Sequence, residues 1–258
     1  MKQIFSKVIN LENLGNSIFR LTFKAPEIAE NVEAGQFVNI LVSEECNPLL
    51  RRPFSIYNKI GDSLQILFNA VGKGTSILSK CREGDKLDVI GPLGNSFSLN
   101  GQFENALLVG GGMGVASLPL LYTAIQNKKI PVATFVGAKN KESLIVDNLQ
   151  SVNCATDDGS KGFMGNVVSL VERYLKEMNV SNPKMFACGP PPMLRAISEL
   201  AKIHDIMCEV SVESAMACGI GICQGCPVER IGTPNKYSLV CKDGPIFDSN
   251  TIKFVIHD

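Results

Sequence analysis

The 258-residue sequence predicts a multidomain chain: an antiparallel β-barrel, then an α/β domain on a parallel sheet, then a small C-terminal module. Three observations carry this. Residues 1–100 hold short apolar or alternating runs cut by turn residues; residues 101–212 alternate strand-like with helix-like runs; residues 213–258 lose apolar periodicity and become rich in Cys and Gly. The length suits about two domains of roughly 100 to 200 residues, so a packed core needs no disulfide staples.

In the first region the runs are "FSKVINL", "SIFRLTFKA", "GQFVNILV", "PFSIYN", "SLQILFNAV" and "KLDVIGPLG", set off by Gly, Pro, Asn and Asp. Six such strands at short spacing predict a small antiparallel barrel. In the second, "NALLVGG" reads as a buried strand leading into a helix, and "IPVATFVGA" as a strand followed by a helical "KESLIVDNLQ". Val167, Val171, Tyr174, Leu175 and Met178 share one helical face, "PKMFACGP" is a strand, and Met193, Leu194, Ile197, Leu200 and Ala201 share another. Alternation of this kind implies parallel strands with crossover helices. Pro191 and Pro192 suit the start of the last helix, where a missing N–H costs little. The third region follows "IMCEVSVE" and reads as organised around a ligand rather than a core.

Charge narrows the function classes. The chain carries 25 basic and 25 acidic residues and no Lys/Arg run, which gives no electrostatic source for binding nucleic acid or an anionic membrane. Its N-terminus lacks the apolar core and cleavage site of a secretory signal, so a cytoplasmic location is expected. There disulfides are rare, and nine cysteines are an odd number for a disulfide framework. Residues 106–125 are long and uncharged enough to test as a membrane span, but three consecutive glycines and a proline read better as strand, turn and buried helix.

The chemistry is concentrated in "CGIGICQGC". Cys218, Cys223 and Cys226 form CxxxxCxxC, and Cys241 follows in "YSLVCKDGP". This is the plant-type [2Fe–2S] spacing, in which four thiolates hold two irons in a glycine-rich loop. Gly219, Gly221 and Gly225 would let the loop turn tightly and bring backbone N–H groups to the sulfurs. Zinc is the alternative ligand, although only one CxxC pair is present. Cys46, Cys81, Cys154, Cys188 and Cys208 stand singly and read as small buried hydrophobes.

Upstream, "VGGGMGVAS" follows a strand and opens a helix whose first N–H groups could receive a diphosphate, though it is not a clean GxGxxG and equally suits a plain tight turn. "RRPFSIY" alternates Arg, an aromatic and Ser on a strand, and "VGKGTS" sets glycines before hydroxyls; together they suit a flavin dinucleotide. Taken alone, Arg52 is as well read as a surface salt-bridge partner and Phe54 as a core residue.

The order "RRPFS", "GKGT", "GPLGNSF", "GGGMGVA", "CGPPPML" and then the cysteine module resembles the ferredoxin-reductase superfamily, and within it the electron-transfer subunits of NAD-dependent dihydroorotate dehydrogenases. The likeness spans nearly the whole chain. It implies a flavin domain at 1–100, a nucleotide domain at 101–212 and an iron–sulfur module at 213–258, with FAD, NAD(H) and a [2Fe–2S] cluster as cofactors. Arg52, Pro53, Phe54 and Ser55 would contact FAD, with Arg52 toward the diphosphate; Leu67, Phe68 and Asn69 would lie along it, and Gly74 and Thr75 would bind phosphate. Gly111, Gly112 and Gly114, with Cys188, Gly189 and Pro190, match the nicotinamide-dinucleotide motifs, and Cys218, Cys223, Cys226 and Cys241 the cluster ligands. The implied partner is an FMN-containing catalytic subunit in a heterotetramer of two plus two, contacted near the cluster loop; Ile220 and Ile222 would form that contact or shield the cluster.

The chain departs from the pattern in two ways. It continues past the point where simpler reductases end in an aromatic over the flavin, and its fourth cysteine comes earlier than in plant-type ferredoxins. The same cofactors would also serve a hydrogenase, a sulfite reductase or a ferredoxin-linked transhydrogenase, and a zinc-bound regulatory module is the reading outside redox chemistry. No acid–base dyad is evident, with only His204 and His257 present and His204 near a helix end. Lys139 and Lys141 leave NADPH open on the residues alone; the resemblance implies NADH.

Overall fold

The computed structural model describes residues 1–254 apart from Glu44, Cys46 and 233–235. The readings of Cys46 and His257 therefore lie outside the described residues.

The six expected barrel strands are present: β1 (Lys2–Gly15), β2 (Ile18–Lys24), β3 (Phe37–Leu41), β4 (Arg52–Ile60), β5 (Ser63–Asn69) and β6 (Lys86–Leu93), with short helices α1 (Pro26–Ala29) and α2 (Lys73–Leu78). They close in the order β1-β2-β5-β4-β3-β6. Strand β6 alternates buried and open positions, as a barrel wall with one face inward must. Strand β5 is buried on both faces. Its Leu64, Ile66 and Phe68 fill the barrel, while Leu67 joins Ile18 and Tyr57 in a second cluster with Leu108, Val115 and Leu118. That outer face cements the barrel to the next domain, each fully buried side chain contributing roughly 1.5–3 kcal/mol.

The second sheet contains β7 (Asn105–Gly111), β8 (Val132–Ala138), β9 (Val152–Thr156), β10 (Phe163–Met164), β11 (Pro183–Cys188) and β12 (Met207–Ser211), with helices α3 (Leu118–Asn127), α4 (Val167–Glu177) and α5 (Pro191–Ile203). The strand order is β10-β9-β8-β7-β11-β12, all parallel. The chain runs outward from β7 to β10 and returns to β11 on the other side of β7, so the order reverses between β7 and β11. Residues 106–125 are a strand, a turn and the ten-residue α3; no described helix is long and apolar enough to cross a membrane.

Two expectations change. "KESLIVDNLQ" is not a helix beyond one short turn at Lys141–Ser143. Asn140 caps that turn, but Leu144 leaves it in extended conformation, and Leu144, Ile145, Val146 and Leu149 pack into the cluster against the barrel. The Asp147 carbonyl accepts the Tyr57 hydroxyl at 2.8 Å, and its carboxylate meets Arg20 at 3.2 Å. Tertiary anchoring overrides helical propensity here.

The C-terminal segment also has more core than expected. After the hairpin β13 (Pro227–Glu229) and β14 (Tyr237–Leu239), β15 (Ile246–Asp248) adds antiparallel to β12 as an edge of the large sheet. Cys226, Val228, Val240, Cys241 and Phe247 share one cluster with Val109, Phe135 and Leu194. Asn95, in "GPLGNSF", binds this tail four ways: its N–H to the Gly244 carbonyl at 2.7 Å, its Nδ2 to the Ile246 carbonyl at 2.8 Å and the Asp243 carbonyl at 3.0 Å, while its Oδ1 accepts the Ile246 N–H at 2.9 Å.

Candidate functional site: an aromatic-walled crevice beside a four-thiol loop

Between the barrel and the second sheet lies a crevice of about 290 Å³, lined from the barrel by Pro53, Phe54, Ser55, Leu67, Phe68, Asn69 and Thr75. Seven of the nine residues expected along FAD thus face one space. Phe54 and Phe68 pack at a 5.7 Å centroid distance and give it an aromatic wall. The Asn69 Oδ1 is buried without a hydrogen-bond partner, an acceptor suited to a ring N–H of a bound group.

The remaining two, Arg52 and Gly74, touch each other. A Cβ on Gly74 would come within 3.0 Å of the Arg52 Nε, so glycine lets the guanidinium lie against the first turn of α2. The doubled arginine divides its work. Arg51 binds Asp88 at 2.6 Å, whereas Arg52 meets no carboxylate among the described residues and donates to the Leu50 carbonyl. The surface-pair reading thus belongs to Arg51, leaving Arg52 free for an anion. Thr75 Oγ1 accepts the Val71 and Gly72 N–H groups at 3.1 Å and shapes the turn before α2.

The two nucleotide motifs converge where the strand order reverses, at the C-terminal ends of β7 and β11, the general ligand position of open parallel sheets. Gly112 has φ +53. Gly114 lies so close to the other motif that a Cβ would stand 2.4 Å from the Cys188 carbonyl, and on Gly111 it would stand 2.4 Å from the Met193 sulfur. The glycine turn opens a 3-10 segment (Gly112–Ser117), not the expected α-helix; α3 starts only at Leu118. Gly110, Gly111 and Gly114 bring this turn against Leu118, Met193 and the backbone of Cys188, leaving a tight corner in place of a helix opening.

In the cysteine loop, backbone N–H groups of Ile220 and Cys223 reach the Cys218 sulfur at 3.5 and 3.4 Å, Gly221 reaches Cys241 at 3.1 Å, Gly225 reaches Cys223 at 3.4 Å, and Cys241 reaches Cys226 at 3.4 Å. All four sulfurs therefore sit at the focus of N–H dipoles, an arrangement for thiolates. Burial opposes ionisation of Cys218, yet the Cys223 and Ile220 N–H groups bring its pKa down to about 6. Cys226 and Cys241 stand 3.2 Å apart, sulfur to sulfur, and burial with that proximity pushes Cys241 up to about 12. Among the described residues no three His, Cys, Asp or Glu side chains converge as one ion would need. Cys226 and Cys241 form a close sulfur pair, the Cys223 N–H bonds the Cys218 sulfur and the Gly221 N–H the Cys241 sulfur, so all four thiols gather around one turn. Gly219 and Gly221, at φ +69 and +84, make this turn possible.

The loop and the crevice share a wall. Phe37 lines the crevice and lies 3.8 Å from where a Gly219 Cβ would be, and Asn39 of the same strand donates to the Cys218 carbonyl at 3.1 Å. Phe37 thus borders both.

The family described as the iron–sulfur cluster binding domain of dihydroorotate dehydrogenase B matches residues 213–253. Along nearly its whole length, the chain is 36% identical over 259 residues to the dihydroorotate dehydrogenase B (NAD(+)) electron transfer subunit of Desulforamulus reducens, covering 96% of this chain and 98% of that one. The chain belongs to this family of electron-transfer subunits. The subunit of the same name from Bacillus pumilus is 35% identical over 260 residues, with 98% of each covered. Among solved structures, an NADH-dependent reduced ferredoxin-NADP oxidoreductase chain superposes with a TM-score of 0.86 at 27% identity, over 97% of this chain and 90% of that one. Phthalate dioxygenase reductase shares the fold, with a TM-score of 0.66 at 16% identity over 89% and 87%.

Several crevice residues were not among the expected site residues: Phe37, Met113, Glu213, Met216 and Pro245 reach it from four separate segments. Only "SVES", leaving the C-terminal end of a parallel strand, carried a usable signal. The pair Ile220 and Ile222 separates: Ile220 packs on the core, and Ile222 is 76% exposed.

Proposed function

We propose that the chain passes electrons between NAD(H), FAD held in the crevice and a [2Fe–2S] cluster held by Cys218, Cys223, Cys226 and Cys241, to or from the FMN of a dihydroorotate dehydrogenase catalytic subunit in pyrimidine biosynthesis. The carrying observation is that Phe37 borders both the crevice and the thiol loop. When bound, the flavin supplies the exchange between two-electron hydride and one-electron chemistry; the protein supplies position and environment.

Each part of the chain has one task in this reading. Phe54 and Phe68 set the plane of the flavin ring, Ser55, Leu67 and Asn69 border it, and Arg52, Gly74 and Thr75 meet its diphosphate. Gly111, Gly112, Gly114, Cys188, Gly189 and Pro190 leave room for the dinucleotide at the β7/β11 corner. For NADH over NADPH, Asp157 and Asp158 bond by their backbone to Ala138 and Lys139 at the ends of β8 and β9, placing acidic groups beside the two lysines. The catalytic subunit docks at the cluster loop, with Ile222 in the contact, in a cytoplasmic two-plus-two heterotetramer. The ferredoxin-linked transhydrogenase reading keeps one specific support, the near-complete superposition on the ferredoxin-NADP oxidoreductase chain.

Anaerobic purification followed by visible spectroscopy and assay of FAD, iron and sulfide tests the proposal. It predicts one FAD, two irons and two sulfides per chain; a colourless protein with one zinc would overturn it. Cys223→Ser should remove cluster absorption and electron delivery to the partner yet keep NADH-dependent dye reduction at the flavin. Co-purification with the catalytic subunit and NAD⁺-linked dihydroorotate oxidation separate the two partner readings.

A further inference from the structure

Asn39 is out of place in the barrel wall. Strand β3 reads "FVNIL" and is buried from Phe37 to Ile40. Val38 and Ile40 belong to the barrel core, so Phe37 and Asn39, two residues apart, face the other way. Asparagine is disfavoured in strands, and a buried amide is costly unless its atoms are paired. Asn39 is nonetheless 1% exposed and only half paired. Its Nδ2 donates to the Cys218 carbonyl at 3.1 Å, while its Oδ1 is buried with no hydrogen-bond partner. An apolar residue would serve the barrel better; the amide serves the loop.

The bond to Cys218 has a directional consequence. In a trans peptide the C=O and the following N–H point in opposite directions, and the Cys218–Gly219 bond is trans. Holding the Cys218 carbonyl toward β3 therefore turns the Gly219 N–H away from the barrel. That N–H finds no acceptor among the described residues, whereas those of Ile220, Gly221, Cys223 and Gly225 each bond a cysteine sulfur. Gly219 is also what lets the strand come so near, since a Cβ there would lie 2.5 Å from the Asn39 Nδ2. On the barrel side, Asn39 pairs with Pro53 of β4 and follows Phe37, and both of these line the crevice. One strand thus touches the crevice and the first cysteine of the loop.

Resting on the electron-transfer reading above, we propose that Asn39 is a positioning residue for the [2Fe–2S] cluster, one that orients the Gly219 N–H toward it from the barrel. One more N–H dipole facing the cluster favours its reduced, more negative form, because hydrogen bonds to the sulfurs set the potential of such centres. The amide thereby raises the cluster potential and seats the loop against the strand that borders the crevice.

Asn39→Leu nearly preserves the side-chain shape and removes both amide atoms, so folding stability should stay close to wild type or rise. In the chain carrying FAD and iron, redox titration followed by electron paramagnetic resonance should show the cluster midpoint fall by about 59 mV, a tenfold shift for a one-electron couple. The FAD midpoint should not move. Asn39→Val, shorter and also without a donor, should shift the cluster in the same direction. Loss of iron from both variants, with FAD content and urea midpoint at wild-type values, would equally support the seat. A wild-type cluster potential in loaded Asn39→Leu would overturn the assignment. So would equal shifts of FAD and cluster, or a joint loss of iron, FAD and stability, which would make Asn39 a barrel residue and nothing more. Wild-type protein purified anaerobically without FAD or iron would instead overturn the electron-transfer reading, whereas a loaded wild type beside an unmoved variant overturns only the role of Asn39.

Discussion

The thiols of the C-terminal loop and those of the parallel sheet belong to the same residue type in opposite environments. Cys188 and Cys208 lie inside β11 and β12, and burial pushes both up to about 12. Their backbone N–H groups are committed to the sheet ladder, so little favours a thiolate. In the loop, backbone N–H groups bond the sulfurs instead, and Cys218 is drawn down to about 6, while Cys241 is held up by burial and by the Cys226 sulfur 3.2 Å away. Spacing brings cysteines together, but where the backbone donors point decides whether they can hold metal.

Replacing one member of each class should break this contrast most sharply. Cys226→Ser is expected to lower bound iron and sulfide to below about one tenth of wild type, because a cluster with a missing thiolate is not retained. Cys208→Ala should keep full iron and cost about 1 kcal/mol in denaturant unfolding, the scale of a small buried truncation. Iron loss in both variants would mean that the sheet thiols matter to the cluster.

A smaller effect separates two glycines of the loop. Gly219→Ala places a side chain at φ +69 and a Cβ 2.5 Å from the Asn39 Nδ2, so it strains the backbone and displaces the hydrogen bond to the Cys218 carbonyl. Left-handed strain alone costs roughly 1–2 kcal/mol, and iron incorporation should fall by more than half. Gly225 has an ordinary φ and would meet only the Cys223 sulfur at 3.3 Å, so Gly225→Ala should retain most of its iron. Iron per chain in the two purified variants is the measurement.

These glycines also show what the sequence could and could not reveal. The barrel was legible because short apolar or alternating runs and turn residues agree along all six strands, and the cysteine loop because its spacing is local. Phe37, Glu213 and Pro245 were not legible as site residues, since they meet only after barrel and sheet have packed. The stretch after β8 misled for the same reason: its apolar residues have helical spacing, but Tyr57 and Arg20 of the barrel hold Asp147 and draw the chain into an extended path. β15 was hidden because its three residues gain a strand's hydrogen bonds only from β12. Local chemistry was readable, and convergence was not.

The adjacent arginines sharpen the contrast between binding and structure more gently. Arg52→Ala should weaken FAD retention about tenfold, near 1.4 kcal/mol, the scale of one charge-assisted bond, with little change in unfolding. Arg51→Ala should instead cost about 1–3 kcal/mol of stability by leaving Asp88 half-buried without its partner, with FAD affinity of the folded protein close to wild type. Equilibrium dialysis and urea unfolding separate the two.

The smallest effect is the pH dependence that this ion pair creates. Burial alone would raise the Asp88 carboxyl, but hydrogen bonds from Arg51 and Gln3 outweigh it and hold its pKa below the ordinary aspartate value. A carboxylate whose folded pKa is depressed binds fewer protons folded than unfolded, so its contribution is complete above the unfolded pKa of about 3.9 and is lost as pH falls through the lower folded value. Wild-type stability should therefore decline as pH drops below about 4, with part of that slope belonging to Asp88. In Arg51→Ala the folded pKa loses its main depressing partner, so the slope should flatten although the protein is less stable at every pH. Urea midpoints between neutral pH and pH 3 measure this; parallel slopes in the two proteins would assign the acid sensitivity to other carboxylates, such as Asp62 beside Lys24.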